Sequence, residues 1–80
     1  MFYFEFEEKR RKADVLWPED NGNLIVHIND TEITRHLPAD LYYDVDEEQR
    51  VKFIIEDPSH KRLVELQKTV SKRLQELISF

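Results

Sequence analysis

The stretch ADVLWPEDNGNLIVHI, residues 13–28, places the dipeptide Asn21-Gly22 between two apolar runs. Asn-Gly suits both central positions of a type I′ turn, where φ must be positive. A two-residue loop here predicts a β-hairpin with these cross-strand pairs: Val15 opposite Ile28, Leu16 opposite His27, and Trp17 opposite Val26. Apolar residues then meet on one face of the sheet, so the turn and the hydrophobic pattern predict the same register.

A strand is also predicted before this hairpin, because Phe2, Phe4 and Phe6 alternate with less apolar residues. The basic run KRRK, residues 9–12, comes next, and we expect it to be a charged connection to a strand that begins at Ala13. Such a run usually lies in solvent, where it discourages pairing between sheet edges. Alternatively, the run could bind phosphate groups or act as a nuclear localisation signal.

A second hairpin is predicted by two alternating segments within residues 41–55. If residues 47–49 form a three-residue loop, the apolar residues pair as follows: Val45 with Val51, Tyr43 with Phe53, and Leu41 with Ile55. The same register places Asp44 opposite Lys52, a favourable pair of charges. Three-residue loops usually need one residue in the left-handed region, and no residue of this loop is a glycine.

Residues 29–40 carry no single pattern. Asp30 is suited to cap a short helical turn that carries Ile33 and Leu37, whereas the alternation around Ile33 also fits an extended strand. Either element would end before Pro38. We expect a short irregular segment here.

A C-terminal amphipathic helix of about 20 residues is predicted after Asp57-Pro58, because Asp caps helices and Pro favours the first helical position. Its apolar residues fall on one arc of about 120°: Leu63, Leu66, Val70, Leu74, Leu77 and Ile78. Strands followed by one long helix predict a single α+β domain over residues 1–80. We expect an antiparallel meander sheet of four to five strands, built from two hairpins, with the helix packed on one face.

Charge and cysteine content restrict the class of function. The chain carries 12 Lys and Arg against 17 Asp and Glu, a net charge of −5, which is unlike a uniformly basic nucleic-acid binder. Residues 58–80 hold five cations and two anions, a net +3, so the remainder carries −8. The sequence has no cysteine, which excludes disulfides and thiolate zinc sites. With no apolar run of about 20 residues and no secretory signal pattern, we expect a cytoplasmic protein without a membrane span.

Catalytic and metal-binding patterns are not apparent. His27, His36 and His60 do not have the helical spacing of a metal pair, and Asp44 to Glu48 do not continue as a calcium loop. The serines lie near the predicted helix without a Gly-x-Ser-x-Gly elbow, and one glycine cannot build a phosphate-binding loop. We therefore expect no enzyme activity, no cofactor, no metal and no small-molecule substrate.

Apolar residues on the outer face of the predicted sheet point to a protein partner. A helix on one face leaves five such residues open: Tyr3, Leu16, Ile25, Tyr42 and Ile54. A solvated sheet face is normally polar, so an apolar patch there indicates a binding surface. We expect either another protein or a second copy of this chain as the partner. The alternative is that residues 29–40 fold back and cover this face.

A second hypothesis rests on acidic residues, which are concentrated between positions 40 and 57. They are Asp40, Asp44, Asp46, Glu47, Glu48, Glu56 and Asp57. A small acidic regulator could use them to occupy the basic nucleic-acid-binding site of a partner protein. Direct binding of nucleic acid by this chain is not expected, because acidic residues share the strand faces on which exposed tyrosines lie.

Overall fold

The computed structural model describes residues 1–16 and 23–79, which form an α+β arrangement. Five antiparallel strands lie in sequence order across one curled sheet. In chain order the elements are β1 (Phe2–Phe6), β2 (Lys9–Leu16), β3 (Asn23–Ile28), α1 (Thr31–Thr34), β4 (Asp40–Val45), β5 (Val51–Lys52) and α2 (Lys61–Ile78). The predicted meander with one long C-terminal helix is confirmed.

The connection between the first two strands differs from the prediction. The turn is Glu7-Glu8, whose φ angles are 53° and 64°, and residues 9–12 are the first part of β2. Phe6 therefore pairs with Lys9 across a two-residue loop of type I′ character. The prediction of a solvated connection failed because Arg11 continues the core-facing alternation, and a charged residue in that position hides the strand pattern.

The register between β2 and β3 also differs from the prediction. Leu16 pairs with Ile25 and Val15 pairs with Val26, two residues away from the predicted partners. Contacts at the other end of the ladder hold this register, since Asn29 N donates to Lys12 O over 2.9 Å. A shift of two residues leaves every side chain on its predicted face. The Asn21-Gly22 turn and Trp17 lie outside the described residues.

The second hairpin has the predicted register. Val45 pairs with Val51, and Asp44 pairs with Lys52. Gln49 supplies the left-handed residue of the loop with φ 64°, and Asp46 N donates to Arg50 O at 3.1 Å. Strand β5 is shorter than predicted and ends at Lys52. The ring centres of Phe53 and Tyr43 nevertheless lie 5.5 Å apart.

Residues 29–40 contain a one-turn helix where we expected an irregular segment. Asp30 caps α1, and its side chain accepts hydrogen bonds from Glu32 N and Ile33 N. Ile33 and Leu37 are buried in the core, which agrees with the helical alternative. A single capped turn is too short to leave a periodic sequence pattern, so only the cap and this pair of residues indicated it.

The helix α2 begins three residues later than the Asp57-Pro58 signal predicts. His60 is its N-cap and accepts a hydrogen bond from Leu63 N, whereas Asp57 accepts from Ser59 N and Ser59 Oγ in the preceding turn. The predicted apolar arc is confirmed. Its first four members, Leu63, Leu66, Val70 and Leu74, are buried, and Leu77 and Ile78 pack partly buried against them.

The core lies between the concave face of the sheet and the two helices. The inward residues of the central strands are fully buried: Ala13, Leu24, Val26, Ile28, Leu41 and Tyr43. Helix α2 approaches the two edge strands, β1 and β5, and so closes the curled sheet. The opposite, outer face of the sheet remains without a packed layer in the described part of the chain.

Candidate interaction surface

Three apolar side chains form one row across the outer face of the sheet. Leu16 of β2 lies opposite Ile25 of β3, and Ile25 lies opposite Tyr42 of β4. The side chains are exposed at both ends of this row, with 51% of Leu16 and 57% of Tyr42 accessible, and Ile25 is half-buried between them. We call these three residues the outer row.

The other two predicted surface residues do not pair into the outer row. The β4–β5 register would bring Ile54 beside Tyr42, but the ladder ends at Lys52 and Ile54 is 83% exposed. Its carbonyl oxygen accepts a hydrogen bond from Gln67 Nε2 at 3.1 Å. The predicted surface therefore contracts on this side to the three paired residues.

Tyr3 lies at a separate place on the outer face. It pairs with Lys12, which is four residues from Leu16 along β2. The guanidinium carbon of Arg10 stands 4.3 Å from the centre of its ring, an arrangement typical of a cation–π contact. Tyr3 thus contacts Arg10 of the adjacent strand β2 and does not extend the outer row.

Residues 29–40 leave the outer row open. Their two apolar anchors, Ile33 and Leu37, belong to the buried core on the opposite side of the sheet. The alternative in which this segment covers the outer face is therefore wrong.

Charged groups flank the outer row on both sides. Along one side Asp14 lies opposite His27 and His27 lies opposite Asp40, with 2.7 Å between His27 Nδ1 and Asp40 Oδ1. Along the other side Asn23, Asp44 and Lys52 are neighbours across their strands. Lys52 Nζ turns toward Asp46 Oδ2 at 3.4 Å, so the carboxylates dominate the flanks of the row.

Arg11 organises an ion-pair cluster that the sequence did not predict. Its side chain is 3% exposed, and Nη1 lies within 3.1 Å of Asp30 Oδ1 and 3.0 Å of Glu32 Oε2. The same guanidinium donates through Nε to Phe6 O. Hydrogen bonds from Lys9 and Arg11 lower the pKa of Glu32. These contacts join β2 to the start of α1, and a buried arginine among carboxylates leaves no mark in a hydrophobic pattern.

The sheet and α2 are joined by a second ion pair. Arg62 donates to Glu7 through both Nε and Nη2, at 2.9 and 2.8 Å. The hydrogen bond from Arg62 lowers the pKa of Glu7. This bidentate contact fixes the Glu7-Glu8 turn against the first part of the helix, and we interpret it as structural.

The described residues contain no group of three or more His, Cys, Asp or Glu side chains that could hold a metal ion. His27 contacts Asp40, His60 caps α2, and His36 is exposed in the turn after α1. In residues 1–16 and 23–79 no helix is both long and apolar enough to cross a membrane. Comparison with protein-family models, curated proteins and solved structures finds no match for this chain.

Proposed function

We propose that this protein is a non-catalytic protein-interaction module that acts in the cytoplasm, and that the outer row is its binding surface. The observation that carries the proposal is the row itself, because Leu16, Ile25 and Tyr42 lie side by side with both ends exposed. A sheet with one face on the core normally presents polar residues on the other. Tyrosine is also among the residues enriched at the hot spots of protein interfaces.

The flanking charges indicate the chemistry of the partner. Asp14 and Asp40 lie on one side of the row and Asp44 on the other. A partner with an apolar centre and a basic rim complements this surface. Two copies of the same face would bring their carboxylates together, so we propose a different protein as the partner in preference to a homodimer.

Site-specific photo-cross-linking in living cells tests the proposal. p-Benzoylphenylalanine in place of Tyr42 should cross-link to the partner, and adding Leu16→Glu should abolish the product. The matched control carries the same group in place of Lys12, which lies on the same face four residues from Leu16. A product from position 12 but not 42 would contradict the proposal. A product with the mass of two chains would identify a homodimer and overturn the choice of a different partner.

A second candidate is a small acidic regulator that occupies a basic nucleic-acid-binding site on its partner. Asp40 and Asp44 favour it, because their side chains are exposed beside the outer row. Such a complex should weaken more steeply with added salt than one centred on the apolar row, whose charged contacts are confined to its rim. Competition by nucleic acid for the partner, together with a steep salt dependence, would favour this candidate over the first.

A further inference from the structure

Helix α2 makes different side-chain contacts with the two edge strands of the sheet, β1 and β5. At the β5 edge, Gln75 Oε1 accepts from Val51 N and Gln75 Nε2 donates to Gln49 O, both at 2.8 Å. Gln67 Nε2 donates to the carbonyl of Ile54 further along the same edge. Side-chain amides of the helix thus satisfy backbone groups that an added strand would need at β5.

The β1 edge keeps backbone groups that point out of the sheet. The two-residue turn makes Phe6 and Lys9 a hydrogen-bonded pair, so by alternation Tyr3 and Glu5 direct their N–H and C=O groups away from β2. Arg73 Nε donates to Tyr3 O at 2.9 Å, which agrees with this orientation. Among the described residues no other side chain bonds an outward backbone atom of β1, so Glu5 offers both its groups to a ligand.

An open cleft of about 770 Å³ lies beside this edge, between β1 and α2. Four cations, Arg10, Lys68, Lys72 and Arg73, outnumber the three glutamates that line it. Lys68 and Lys72 are exposed and belong to none of the ion pairs found in residues 1–16 and 23–79. The cleft is therefore locally basic in a protein whose net charge is −5.

We infer that this cleft binds an extended acidic peptide segment of another protein, which adds to β1 at Glu5 and places carboxylates against Lys68 and Lys72. Addition of a strand to an open edge uses the backbone for affinity and alternate side chains for specificity. The spacing agrees, because side chains two residues apart on a strand are separated by about 6.5–7 Å, and residues one helical turn apart by about 5–6 Å. Nucleic acid fits less well, because it cannot pair with the edge as a strand and three glutamates line the cleft.

Two blocked peptides test the inference with the whole chain: an acidic probe of alternating Val and Glu, and its Val-Lys counterpart. In amide NMR titrations at low salt, the acidic probe should shift the Tyr3 and Glu5 signals and slow hydrogen exchange at the Glu5 amide. The Val-Lys peptide should not bind. Equal binding of both peptides, or an unprotected Glu5 amide, would overturn the inference.

Variants separate the electrostatic part from the backbone part. Lys68→Glu combined with Lys72→Glu should weaken binding of the acidic probe by about tenfold or more, and Lys12→Glu on the outer face should not.

An acidic probe with N-methylated valines tests the backbone part. It should fail to bind, because its valines cannot donate hydrogen bonds to the β1 edge; unaltered affinity would overturn strand addition. If an oligothymidylate shifts the signals of the same amides, the ligand of the cleft is nucleic acid and the peptide inference is overturned. Leu16→Glu should not change binding of the acidic probe. The result for the cleft is therefore independent of the result for the outer row.

Discussion

Arg11 Nη1 lies 3.1 Å from Asp30 Oδ1, and this contact joins the second strand to the residue that caps α1. Arg11 is buried, and its carboxylate partners and the carbonyl of Phe6 stabilise the guanidinium charge there. Loss of the guanidinium would leave Asp30, itself only 18% exposed at its side chain, without its cation.

We therefore expect Arg11→Ala to lower the free energy of unfolding by about 3 kcal/mol, at the lower end for a broken buried ion pair because Glu32 is half exposed. Urea unfolding followed by circular dichroism measures the change. Arg35→Ala, at an exposed site after α1, is the control and should stay within about 0.5 kcal/mol of the parent. Equal stability of the two variants would show that the cluster is dispensable.

Asp46 predicts a component of acid sensitivity. Hydrogen bonds from the backbone of Arg50 and Glu48, together with Lys52, lower its pKa below the ordinary value of 3.8. The carboxylate is thus favoured in the folded state, and its stabilisation is complete above that ordinary value and lost as the pH falls through the lower folded value. Urea midpoints measured from about pH 6 downward should fall less steeply in Asp46→Asn than in the parent.

Asp44→Asn is the matched control for this titration, because it removes the same charge from the same hairpin without removing a backbone hydrogen bond. Its acid profile should stay closer to that of the parent than does the profile of Asp46→Asn. Indistinguishable profiles for the two variants would contradict the assignment.

His60 caps α2 through Nδ1, which accepts from Leu63 N at 3.3 Å. Aspartate is a better cap and adds a negative charge where the helix dipole favours it. His60→Asp should therefore raise the free energy of unfolding by about 0.5–1 kcal/mol at neutral pH. His36→Asp makes the same substitution at an exposed site away from α2 and should change stability by less than about 0.5 kcal/mol. A destabilised His60→Asp variant would contradict the capping role.

Helices and strands whose apolar residues recur with a regular period could be predicted from the sequence. Contacts between these elements could not. The apolar arc of α2 and the alternation of Leu41, Tyr43 and Val45 both indicate which side is buried. Arg11 breaks such a pattern because its burial depends on Asp30, which is 19 residues away. The β2–β3 register likewise depends on Asn29, beyond the end of the strand.

The outer row was predictable in part for a geometric reason. A register error of two residues exchanges cross-strand partners but keeps each side chain on its face, so Leu16 and Ile25 remain on the outer face. Which exposed residues become neighbours depends on the length and pairing of the strands. Tyr3 and Ile54 separate from the row because β1 pairs with the far end of β2 and because β5 ends at Lys52.

The affinity of the cross-linked partner for Tyr42→Ala shows whether the outer row forms the binding surface. Tyr42 is 57% exposed, so its truncation should leave the stability within about 0.5 kcal/mol of the parent. Titration calorimetry should show a loss of about 2 kcal/mol in binding, roughly a 30-fold rise in Kd, as expected for a tyrosine anchor. Lys12→Ala on the same face should bind like the parent. Parent-like affinity in Tyr42→Ala would contradict the assignment of the outer row as the binding surface.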